Sequence, residues 1–132
     1  MTLVREITEA IKAHGEWKLR LRSAIVTGKS DFPVSLACQD NRCALGRWLL
    51  SQNASTKAST RWKCVRTAHA DFHKEAGRIL EMALEGKQDE ASAALLYPSK
   101  YTGLSTQLTM ELTMWKRDQV QDYPTSRLVV SA

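Results

Sequence analysis

The chain has 132 residues, a formal net charge of +5, 43% hydrophobic and 25% charged residues. These values fit one globular domain with a single core and leave little room for a second. No apolar run approaches the roughly 20 residues that span a bilayer, and Arg5, Glu6 and Glu9 interrupt the stretch where a secretion signal would sit, so a cytoplasmic protein is expected.

The first segment, from about residue 3 to 27, carries Leu3, Ile7, Ala10, His14, Trp17, Leu21 and Ala24 at alternating steps of four and three. That is the stripe of a helix packing in a bundle. Thr2 is a candidate N-cap and Gly28 a candidate C-cap. Within it, Lys18 and Arg22 share a face while Arg20 points elsewhere. With no Lys/Arg block in the chain, the positive charge reads as a solvated surface and not as a nucleic-acid site.

Residues 28–42 read as irregular, with Gly28, Asp31, Pro33 and the Asp40-Asn41 pair. A short helix is expected from Cys43 to Leu50, capped by Asn41 or Asp40, followed by an exposed polar loop over 51–60. A second long helix is expected from about 60 to 85. Its stripe is Trp62, Val65, His69, Phe72, Ala76, Ile79 and Ala83, and Gly86 ends it. A shorter helix over 87–97 turns Ala91, Ala94 and Leu95 inward, and Pro98 interrupts the chain. The last helix, about 99 to 121, presents Tyr101, Leu104, Leu108, Leu112 and Trp115, and Pro124 stops it. The expected fold is all-α: an antiparallel four-helix bundle with an additional short helix that carries Cys43. Residues 1–122 form the domain and 123–132 a tail or linker.

All three histidines of the chain fall on or beside these inward stripes. His69 and His73 are four residues apart, on one face of one helix, the spacing by which a helix offers two ligands to a metal. A lone inward histidine is more often a hydrogen-bonded core residue. Three together are harder to accommodate, because each buried ring nitrogen left without a partner costs about 1–3 kcal/mol. One shared metal would satisfy three nitrogens at once. The apolar run CALGRWLL must press against the bundle, which brings the Cys43 thiol to the edge of the same core. Imidazole and thiolate in a tetrahedron favour zinc. Trp17 and Trp48 are expected to pack around the site. Asp40 reads as a helix cap before a partner of the ligands. Cys38 and Cys64 read as ordinary packing, although Cys38 could form a disulfide with an oxidised Cys43.

The segments AHGEWKLRLRSAI, DNRCALGRWL, HADFHKEAG and YTGLSTQL…MWK resemble the chemoreceptor zinc-binding domain, the CZB family, from about Ile7 to Arg117. The resemblance implies a four-helix bundle holding one zinc through three histidines and one cysteine: His14, Cys43, His69 and His73. It also implies a bacterial signalling role, usually as part of a chemoreceptor or a diguanylate cyclase, with regulation of chemotaxis or cyclic-di-GMP output by zinc or by oxidants such as hypochlorous acid. Neither of those output modules is present in this chain.

Four protein ligands close a tetrahedron, so a sensory or structural zinc is expected and a hydrolytic one is not. Cys43 is the expected redox-reactive ligand. A sensor of zinc availability and a structural zinc module for homodimerisation are the alternatives. A di-metal oxidase would need Glu-x-x-His pairs, and positions 11, 66 and 70 are Ile, Arg and Ala. No catalytic residue is therefore expected.

Overall fold

The computed structural model describes residues 3–30, 33–37 and 43–122. The candidate cap Thr2, the cysteine Cys38, the candidate caps Asp40 and Asn41 and the tail over 123–132 lie outside them. The described residues are helical, without a strand, in seven segments: α1 Leu3–Thr27, α2 Val34–Ala37, α3 Ala44–Leu50, α4 Ala54–Lys57, α5 Thr60–Leu84, α6 Gln88–Leu95 and α7 Lys100–Asp122. No described helix is long and apolar enough to cross a membrane.

Local chemistry sets the helix ends. Ser59 caps α5 by accepting from the Trp62 amide, and Asn53 caps α4 by accepting from the Thr56 amide. At the far end of α5, the Gly86 amide reaches the Ala83 carbonyl and the Lys87 amide reaches the Met82 carbonyl. This paired closure needs a left-handed residue, and Gly86 supplies it at φ 80°. Gly28 ends α1 in the same region, at φ 72°. Ser99 and Thr102 exchange hydrogen bonds through side chain and backbone at the start of α7.

Packing follows the stripes. Phe72, Val65, Ala76 and Ile79 of α5 are fully buried, as are Ile7 and Leu21 of α1 and Leu108 and Leu112 of α7. α5 is central and packs against α1, α2, α6 and α7. Arg61 near its start pairs with Glu111 and Asp118 towards the end of α7, while Phe72 meets Tyr101 at the start of α7. α5 and α7 therefore run antiparallel. The end of α1 is tied to α6, where the Gln88 side-chain amide donates to the Ile25 carbonyl.

Two polar stretches are more ordered than their composition suggests. α2 interrupts the segment expected to be irregular, and the one-turn α4 lies inside the expected loop over 51–60. In the second case Asn53 provides a cap where no Gly or Pro breaks the chain. Cys64 departs from the expected packing: it is exposed, because it falls off the inward stripe of α5.

α3 is held at both ends. Leu45 and Leu49 are buried, Trp48 stacks on Trp115 of α7 at 5.3 Å, and the Trp62 indole N–H of α5 donates to the Leu49 carbonyl at 3.0 Å. Trp62→Phe keeps most of the apolar contact but leaves that carbonyl without its donor. Urea denaturation should show a loss of about 1 kcal/mol, and amide exchange should rise first in α3.

Candidate metal centre

Three elements deliver the clustered side chains. His69 and His73 are one turn apart on the inward face of α5, with ring centroids 4.5 Å apart. Cys43 stands at the head of α3, where it is itself the cap: its sulfur accepts from the Gly46 amide at 3.3 Å. The cap expected from Asp40 or Asn41 is thus supplied by the cysteine. The Cys43 sulfur also lies 3.1 Å from His69 Nε2. One potential ligand atom from each of Cys43, His69 and His73 falls within 4.8 Å of the other two.

His14 lies outside this tight trio but lines the same cavity of about 300 Å³, along with Trp17, Cys43, Leu45, His69 and His73. Its Nε2 meets the Ser105 hydroxyl of α7 at 3.0 Å, and its ring packs edge-on against Phe72 at 4.3 Å. Trp17 packs edge-on against His73 at 5.1 Å and carries the Arg20 guanidinium over its face. Trp48 does not line the cavity; it packs half-buried against Trp115, and its indole N–H has no hydrogen-bond partner among the described residues.

Two partners of the histidines are not singled out by helical spacing. One is the Ala37 carbonyl of α2, which accepts from His73 Nδ1–H at 2.8 Å and so leaves Nε2 as the nitrogen that can offer a lone pair to a metal. The other is Ser105, a hydroxyl beside the Tyr101–Leu108 stripe that spacing alone does not single out. A buried carboxylate was also unforeseen: Glu75 is held by Arg78 through two hydrogen bonds of 2.8 and 2.6 Å, away from the cavity.

The donor set fits a tetrahedral metal. Zinc holds sulfur at about 2.3 Å and nitrogen at about 2.0–2.1 Å, which sets ligand atoms roughly 3.3–3.6 Å apart. The Cys43–His69 separation of 3.1 Å is slightly shorter than that, and all three ligand atoms lie within 4.8 Å of one another. Burial also keeps the rings neutral. The His14 pKa falls to about 4, first through desolvation and then through the nearby His73, with a hydrogen bond to the Ser105 backbone opposing. The His69 pKa falls to about 3 through desolvation, then His73 and His14. At neutral pH the His14 and His69 rings therefore each present a lone pair without a competing proton.

The same shifts predict an acid sensitivity of the metal-free protein. Between pH 6.5 and about 4 the unfolded chain binds more protons at these histidines than the folded one. Stability is therefore complete above pH 6.5 and declines as pH falls towards 4 and 3, by a few kcal/mol in order of magnitude. Denaturant titrations of the chelated protein from pH 7.5 to 4 should show this slope, and His69→Phe should make it shallower, leaving the part due to His14.

No curated protein and no solved structure gives a significant match. The family description "Chemoreceptor zinc-binding domain" matches residues 14–80, just over half of the chain, a span that runs from His14 through Cys43 to His69 and His73. With that match and the clustered cysteine and histidines, the chain belongs to the chemoreceptor zinc-binding domain family.

Proposed function

We propose that this chain is a cytoplasmic zinc-dependent sensory module in which Cys43, His69, His73 and His14 hold one zinc and Cys43 is the ligand that is switched. The observation that carries this reading is the double engagement of one sulfur atom: it touches His69 Nε2 at 3.1 Å and caps α3 through the Gly46 amide at 3.3 Å. Bound zinc would keep that sulfur as a nucleophilic thiolate. Four protein ligands leave no position for a hydrolytic water, which favours regulation over catalysis.

The input that suits this sulfur is an electrophilic oxidant such as hypochlorous acid. The sulfur takes the hydroxyl, chloride leaves, and the thiolate is oxidised by two electrons to sulfenic acid. The modified sulfur is a poorer partner for both His69 and Gly46. α3 is then left with Leu45, Leu49, the Trp48–Trp115 stack and the Trp62 hydrogen bond, so it is the element free to rearrange. The output would pass to a chemoreceptor or diguanylate cyclase module, with the domain acting as a homodimer. A second reading, a sensor of zinc availability, is favoured by His14 standing outside the trio: a site with three gathered ligands exchanges metal more readily than one with four.

Wild-type protein should take up one zinc per chain, and Cys43→Ala should bind it at least tenfold more weakly in a chelator competition. Zinc uptake at full strength by Cys43→Ala would remove the cysteine from the site. After mild hypochlorite treatment, mass spectrometry should find Cys43 oxidised before the exposed Cys64. The reverse order would end the redox reading and leave zinc availability as the signal.

A further inference from the structure

We propose that Ser105 is the positioning residue for His14 and that it makes α7 part of the metal centre; this rests on the zinc reading above. Ser105 is half-buried on the first turns of α7, and its hydroxyl oxygen lies 3.0 Å from His14 Nε2, 91 positions away in the chain. No described residue of α7 lines the cavity that His14 shares with Cys43, His69 and His73. Nε2 is therefore the nitrogen engaged with α7, which leaves Nδ1 as the nitrogen available to the metal. A neutral imidazole has one N–H and one lone pair. With Nε2–H donated to Ser105, the lone pair sits on Nδ1.

His73 is held by the same logic with the nitrogens exchanged: its Nδ1–H donates to the Ala37 carbonyl, and Nε2 carries the lone pair. Metal-binding imidazoles are oriented in this way, by an acceptor on the nitrogen that does not bind. The hydrogen bond to Ser105 thus couples the orientation of the His14 ring to α7. Metal occupancy is thereby felt by α7, a helix that contributes no ligand of its own.

The test is a chelator competition for zinc with the full chain, in wild type, Ser105→Ala and Ser105→Thr, repeated in a His14→Ala background. Ser105→Ala should weaken zinc binding 10- to 100-fold, with helicity of the metal-free protein unchanged. Ser105→Thr, which keeps the hydroxyl, should stay within a few-fold of wild type. The Ser105→Ala effect should vanish once His14 is Ala. In hydrogen exchange, zinc should protect α7 amides around residue 105 in wild type and not in Ser105→Ala. Equal or tighter binding by Ser105→Ala overturns the proposal, tighter binding meaning that Ser105 holds His14 away from the metal. An undiminished effect in the His14→Ala background also overturns it. Absence of zinc binding by wild type would instead defeat the zinc reading itself.

Discussion

Three imidazoles buried in an apolar core need partners for their ring nitrogens, and that requirement organises the rest of the molecule. His14, His69 and His73 are 6%, 2% and 1% exposed. Their partners come from three separate elements: Ser105 from α7, Cys43 from the head of α3, and the Ala37 carbonyl from the end of α2. Unpaired, each nitrogen would cost about 1–3 kcal/mol. Satisfying them pins two very short helices onto the long ones. α2 has four residues and α3 seven, far below the roughly 12–15 residues at which an isolated helix becomes stable in water. Their order is therefore a consequence of the site as much as its cause.

The long helices were legible because burial in a bundle imposes a period close to that of the helix. Every stripe residue expected on α5 from Trp62 to Ala83 is buried, and on α1 and α7 only Leu3 and Leu104 are half-buried instead. The helix ends were legible where glycine chemistry sets them, at Gly28 and Gly86. α2 and α4 were not, because a one-turn helix has no period to detect; a neighbour or a cap decides it. Of the site, His69, His73 and Cys43 could be read from spacing and from the apolar run after Cys43. Their supports could not. A backbone carbonyl such as that of Ala37 has no sequence signature, and a serine beside a stripe looks like any helix-surface serine. The cap role of Cys43 was hidden because cysteine is an unusual cap, and Asp and Asn nearby were better candidates on propensity alone.

Burial explains why such a site would be receptive to a metal and also why it would be sensitive. Desolvation disfavours the protonated rings, which frees lone pairs for a cation at neutral pH. The polar atoms of the cluster also meet one another, as Cys43 and His69 do at 3.1 Å, and a shared cation would take up those same lone pairs.

The proposed ligands are unequal in what holds them. His14, His69 and His73 belong to helices of 25 residues that bury whole stripes, so losing one contact leaves each helix in place. Cys43 belongs to a seven-residue helix whose first turn it also caps. Any chemistry at that sulfur removes a cap and a site contact together, on a helix far shorter than those that carry the histidines. A closed metal site that drew all its ligands from long helices would be a staple. One that draws its only reactive ligand from a short element can instead convert a two-electron change at one atom into the release of a helix, and the contact of Trp48 with Trp115 would place that release directly against α7.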